Sequence, residues 1–202
     1  MIDLYTAGTG NGRRPALMLE ECGLAYTPHK LDLTKGESHT PAYHKINPVG
    51  AIPAIVDHDG PGGQVVSLAQ SGAILMYLAD KTGRFLPTDP VARAGHLQWT
   101  MFALTDIAPT SGAIFYASSK LEDKAAAHLF EERLLGFLGH ADRRLGEVEY
   151  LAGDYGLADM ALYPVYDGRR ALVDAKGGLS NLKRWADTVG ARPAIQRGMA
   201  VA

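Results

Sequence analysis

Apolar positions in the first eighty residues come in short runs, each with its own punctuation. Ile2-Asp3-Leu4-Tyr5-Thr6 predicts a strand, and Gly8-Thr9-Gly10-Asn11-Gly12 a turn. Pro15, near a helix start where its missing N–H costs nothing, opens the run Ala16 to Cys22, and Gly23 supplies the stop. Lys30-Leu31-Asp32-Leu33 alternates as a second strand, which makes a βαβ unit with a right-handed crossover. Ala54-Ile55-Val56-Asp57 and Gln64-Val65-Val66-Ser67 flank Gly60-Pro61-Gly62-Gly63 and predict an antiparallel hairpin. Ser71 to Lys81 is a periodic helix closed by Gly83. The order is β-α-β, an irregular stretch, then β-β-α.

Residues 83–90, with Pro87 and Pro90, predict a linker. After it the strands vanish. Ala92 to Ala108, Lys124 to Leu145, Ala158 to about Val173 and Asn181 to Val189 carry helical periodicity and predict an all-helical bundle. The expected domains are 1–82 (α/β), the linker 83–90, and 91–202 (helical).

Composition narrows the function. Across 202 residues, 20 basic side chains face 22 acidic ones, a balance that favours neither a phosphate backbone nor an anionic membrane, so no nucleic acid is expected as partner. No signal-like segment precedes the first strand and no apolar run is long enough for a membrane span. Cys22 is the only cysteine, which excludes an internal disulfide and a Cys-x-x-Cys pair and suits a reducing compartment. A soluble, cytoplasmic protein is expected. The seven histidines form no metal-binding spacing, so no metal is expected.

Three segments could carry chemistry. The glycine-rich turn stands before a helix, whose free N–H groups and partial positive charge favour an anion such as a thiolate; Thr9 and Asn11 add a hydroxyl and an amide donor there. A dinucleotide fingerprint is set aside, because Arg13 stands at its third glycine and no further βα units follow. Taken alone the loop also fits a plain turn of small residues. In Asn47-Pro48-Val49-Gly50-Ala51-Ile52-Pro53, Pro53 is either an ordinary strand start or a cis-proline that leaves the Ile52 backbone free for an extended peptide. Ser71, after Gln70, is either a simple N-cap or part of a cradle for an amino-acid end group.

Together, in this order, these segments resemble the glutathione transferase superfamily over essentially the whole chain, and Thr9-x-Asn11-Gly12 most resembles its bacterial Nu class. The resemblance implies a thioredoxin-like first domain and a helical second domain that forms the second-substrate site, with the electrophile between them. It implies glutathione as co-substrate, with Thr9 and Asn11 flanking its sulfur. Ile52 beside cis Pro53 would pair with the cysteinyl unit, and Gln70 and Ser71 would hold the γ-glutamyl end. Ser38 sits where relatives often place Gln or His for the glycine carboxylate; Ala51 replaces a common Lys, and Gly156 the usual Ser of the helix-capping box. The implied partners are a small electrophile or disulfide and a second copy of the chain in a homodimer.

Phe102, Asp106 and Tyr116 are candidate walls for the second substrate, although each is also an ordinary bundle residue. Cys22 lies inside the first helix, away from the electropositive end that activates thiols, and is expected to be inert. Tyr5, within the first strand, is assigned to packing. The expected activity is that of a glutathione transferase or disulfide reductase; the alternatives are a non-catalytic binding protein, or an isomerase or dehalogenase on the same scaffold.

Overall fold

A computed structural model describes residues 1–201. The chain forms two compact units: Met1–Leu86 together with the segment from Arg192 onward, and Pro87–Ala191.

In the first unit, β1 (Ile2–Thr6) leads to α1 (Gly10–Cys22), β2 (Tyr26–Lys30), the short α2 (Pro41–His44), β3 (Ala54–Asp57), β4 (Val66–Ala69) and α3 (Ser71–Thr82). The four strands lie in the order β2-β1-β3-β4, with β1 and β2 parallel and the other pairs antiparallel. This is the predicted βαβ unit followed by the predicted hairpin. Alternation along β1 puts Ile2, Leu4 and Thr6 into the core.

Several boundaries differ from expectation. The helix α1 starts at Gly10, five residues before Pro15, so part of the expected turn is its first turn. The second strand is Tyr26–Lys30 rather than 30–33; it holds Pro28, which is tolerated because β2 is an edge strand. The fourth strand begins at Val66, two residues later than predicted.

Ala16, Leu17, Met18 and Leu19 of α1 are all fully buried, which a one-sided amphipathic helix does not allow. The explanation is a helix the periodicity did not reveal, α10 (Pro193–Val201). Assigned from sequence to the helical domain, it packs on α1 instead. A Cβ at Gly198 would stand 2.9 Å from the Leu17 backbone, so only glycine permits this approach. Arg192 clamps the buried Glu21 through two hydrogen bonds of 2.6 and 2.8 Å, and Arg197 meets Glu20 at 2.7 Å.

The second unit is all-helical. Its α4 (Pro90–Met101) runs through a π-helical stretch, Phe102–Ile107, into α5 (Ala108–Ser119); α6 (Lys124–Leu145), α7 (Leu157–Gly168), α8 (Arg170–Lys176) and α9 (Ser180–Gly190) follow. The predicted run from 158 to 173 breaks at Arg169, which leaves helical geometry and donates its guanidinium to Ser111. Every residue from Leu157 to Tyr166 is buried, which makes α7 the centre of the bundle. No helix among the described residues is long and apolar enough to cross a membrane.

Asp159, fully buried, organises the start of α7. Its carboxylate accepts from the N–H groups of Leu151 (3.1 Å) and Gly156 (3.0 Å) and from Trp185 Nε1 (2.7 Å). Gly156 has no side chain to return a bond, so Asp159 alone supplies this cap.

Asp159→Ala would orphan three buried donors and is expected to cost about 3 kcal/mol or more in a denaturant titration; a loss below about 1 kcal/mol would contradict this role. Burial pushes the Asp159 carboxyl up to about 6 from 3.8, so between these values the folded chain keeps a proton that the unfolded chain has released. The associated stability is fully present below the unfolded value and is lost as pH rises through about 6. Asp159→Asn should remove that decline.

Candidate functional site

The strand register brings the three predicted segments to one end of the sheet. Ala54 pairs with Tyr5 on one side and Ala69 on the other. The turn after β1, the Ile52-Pro53 entry to β3 and the Gln70-Ser71 exit from β4 therefore stand side by side.

Thr6, the last residue of β1, donates its hydroxyl to the Gly12 carbonyl at 2.8 Å. This seats the first turn of α1 on the strand end so closely that a Cβ at Gly12 would collide with the Ala7 carbonyl and stand 2.7 Å from Thr6 Oγ1. Glycine is required there by space, not by backbone angle. Thr9 is the N-cap: its backbone is extended and its oxygen accepts from the Gly12 N–H at 3.0 Å. The hydroxyl hydrogen is the part of Thr9 left for a ligand.

Asn11 is exposed, and its Oδ1 accepts from Arg14 Nη1 at 2.5 Å. A guanidinium only donates, so this contact must involve the amide oxygen, which leaves the NH2 group as the free end. The same Arg14 nitrogen donates to Ser71 Oγ at 3.1 Å. Arg14 is 1 % exposed, and burial pulls its pKa down to about 10, still charged at neutral pH. Nothing in the sequence motifs singled it out.

At the second segment the Ile52-Pro53 bond is cis. The Ala51 carbonyl accepts from Tyr43 Oη at 2.8 Å and from Asn47 Nδ2 at 2.6 Å. In a planar trans peptide this points the Ile52 N–H the opposite way. Ile52 makes no backbone hydrogen bond among the described residues, so both its polar groups are available to an extended ligand. Pro53 is buried behind it.

At the third, Gln70 rather than Ser71 occupies the cap position, and no side chain caps α3. The free N–H groups of its first turn remain for an anion. Gln70 has φ 72° and ψ 113°, a conformation that disfavours any residue with a side chain and costs on the order of 1–3 kcal/mol. Ser71, expected as a possible cap, is instead the first helical residue, buried and held by Arg14.

Ser38 does not present its side chain to this surface. It is 4 % exposed, in a single 3-10 turn, and its carbonyl would lie 3.1 Å from a Cβ at Gly50. His39 and His44 flank Gly50 instead, their rings 6.1 Å apart.

Cys22 closes the opposite end of α1, about 18 Å along the axis from Gly10. It is half-buried beside Thr82, and burial pushes its thiol pKa up. Tyr5 stacks on His29, with centroids 4.7 Å apart, and meets the edge of Tyr43. In the helical unit, Phe102 and Asp106 line a cleft of about 560 Å³ with Trp99 and Phe137, among others. Tyr116 does not line it; its exposed ring packs on Phe115. Among the described residues no three His, Cys, Asp or Glu side chains are arranged to hold a metal ion.

Known proteins resemble this chain along nearly its whole length. Residues 11–81 match the glutathione S-transferase N-terminal domain family and residues 105–197 the C-terminal domain family. The disulfide-bond oxidoreductase YghU of Escherichia coli is 36% identical over 222 residues, covering 99% of this chain and 74% of that protein. The disulfide-bond oxidoreductase YfcG of the same organism is 35% identical over 204 residues, covering 98% and 94%. A crystal structure of a Pseudomonas putida glutathione transferase with one glutathione disulfide bound per subunit superposes with a TM-score of 0.90 at 34% identity, covering 98% of this chain and 90% of that one. The chain, matched in both halves and along nearly its whole length, belongs to the glutathione S-transferase family.

Proposed function

We propose that this protein binds glutathione across residues 9–12, 51–53 and 70–71 and activates its thiol to reduce a disulfide or to attack a small electrophile. The observation that carries the proposal is the pair of donors at the start of α1. The Thr9 oxygen is occupied by Gly12 N–H and the Asn11 oxygen by Arg14, so each side chain is left with a hydrogen to offer. A sulfur placed there would receive both, beside the positive end of a helix dipole. The Ile52 backbone suits the cysteinyl unit, and the free start of α3 with Gln70 and Ser71 suits the γ-glutamyl carboxylate.

Stabilising the anion lowers the thiol pKa and raises the thiolate fraction at neutral pH. In disulfide reduction the thiolate attacks one sulfur, forms a mixed disulfide and expels the other sulfur as thiolate; a second glutathione then releases the first as glutathione disulfide. In conjugation it attacks an electrophilic carbon and expels a leaving group. The relatives named disulfide-bond oxidoreductases, and the relative that carries glutathione disulfide, support the first course.

Residues 1–82 with α10 form the proposed glutathione domain, 83–90 the linker, and the helices from 91 to 191 the domain that supplies the second-substrate site, with Phe102 and Asp106 as its walls. Ser38 remains proposed at the glycine end only through its backbone, since its side chain is buried. The proposed setting is a cytoplasmic homodimer, for which sedimentation should give twice 21.6 kDa; a species of 21.6 kDa alone at micromolar concentration would contradict it.

The test is glutathione-dependent turnover of a simple aliphatic disulfide and an aryl halide. Cys22→Ala should retain it, while Asn11→Ala and Thr9→Ala should each lose about tenfold or more at neutral pH, because a hydrogen bond to an ionised group contributes roughly 1.5–3 kcal/mol. Loss of activity in a folded Cys22→Ala, or full activity in both other variants, would overturn the mechanism.

A further inference from the structure

The structure assigns Arg14 as the residue that positions both halves of the glutathione site at once. This rests on the glutathione reading above. Asn11 and Ser71 lie on different helices, sixty residues apart in the chain, yet a single nitrogen of Arg14 donates to both, at 2.5 and 3.1 Å. Asn11 and Arg14 are i and i+3 on α1, which places them on one face, and α1 packs against α3, which starts at Ser71.

Arg14 is among the largest fully buried side chains in the chain. Burying a guanidinium is costly, and an apolar side chain of similar length would fill the same space without that cost. What the cation adds at these two contacts is orientation. Having no acceptor, it turns the Asn11 oxygen inward and the NH2 outward, toward the proposed sulfur position. Having taken a Ser71 lone pair, it turns the Ser71 hydroxyl hydrogen away from itself, toward the open start of α3. A positive charge behind the Asn11 oxygen also polarises that amide and strengthens its outward donors. Arg14 touches no substrate in this account; it acts through its two partners.

The experiment is a pair of mutant cycles read by two measurements. One is the pKa of the bound glutathione thiol, followed by thiolate absorbance. The other is the affinity for S-methylglutathione, whose sulfur cannot ionise. Arg14→Met should raise the bound thiol's pKa by about 1 unit, a loss of roughly three- to eightfold in thiolate at neutral pH for a bound pKa about 1–2 units below the ordinary value. In the Asn11→Ala background the same substitution should raise it no further. Arg14→Met should also weaken S-methylglutathione several-fold, and much less so in the Ser71→Ala background. Arg14→Lys should restore most of both effects, since one nitrogen makes both contacts and an ammonium carries three donors.

A thiol pKa that does not move in Arg14→Met, or that moves equally with and without Asn11, would overturn the assignment. If Arg14→Met does not fold, Asn11→Asp decides. It keeps an oxygen for Arg14 but loses the outward amide, so it should stay folded and raise the thiol pKa more than Asn11→Ala. A pKa equal to that of the unsubstituted protein would overturn the assignment. Failure of the unsubstituted protein to bind S-methylglutathione would instead sink the glutathione reading itself, before any variant is compared.

Discussion

The first turn of α1 rests directly on the end of β1, and the Thr6 hydroxyl bonded to the Gly12 carbonyl at 2.8 Å holds it there. That contact leaves no room for a side chain at position 12. It also fixes where α1 begins, and therefore where Thr9 caps it, where Asn11 emerges into solvent, and where Arg14 enters the core. Had the helix begun one residue later, each of these side chains would have rotated by about 100° about its axis. The helix start is thus a rigid platform, backed on its other side by α10, whose Gly198 lies against Leu17.

Around this platform three polar groups each turn one atom inward to a partner and leave another facing outward. Thr9 accepts from within and can donate outward; Asn11 does the same. Ala51 turns its carbonyl to Tyr43 and Asn47, so Ile52 presents its N–H to the opposite side. The three segments share this logic although they come from three different strand ends. An extended peptide with an acidic terminus and a thiol in its middle is the ligand that this sequence of donors and acceptors suits.

Much of this was legible in the sequence, and the reason is local. The Asn47-Pro48-x-Gly50 stretch, the Gln70-Ser71 pair and the Thr9-x-Asn11-Gly12 turn are each contiguous, so their residue types announce them. The hairpin was visible because Gly60-Pro61-Gly62-Gly63 punctuates it, and α6 because its periodic stripe is long. The misses are tertiary. Arg14 looks like any helical cation until the fold brings Ser71 against it. The strand β2 lies earlier than the alternating Lys30-Leu31-Asp32-Leu33 run suggests, and Pro28 within it is tolerated only because the fold puts that strand at an edge. The helix α10 was hidden because its partner is the already buried α1, so no stripe on α1 points to it. Ser38 was placed at the site by resemblance alone, and burial removes its side chain from the surface.

The central claim is that glutathione is held as a thiolate at the start of α1. It is tested most directly by titrating the complex of the unsubstituted protein with glutathione and following thiolate absorbance against pH. The account predicts a transition about 1–2 units below the roughly 8.5 of an ordinary cysteine thiol. A bound thiol that titrates at or above that ordinary value would contradict it.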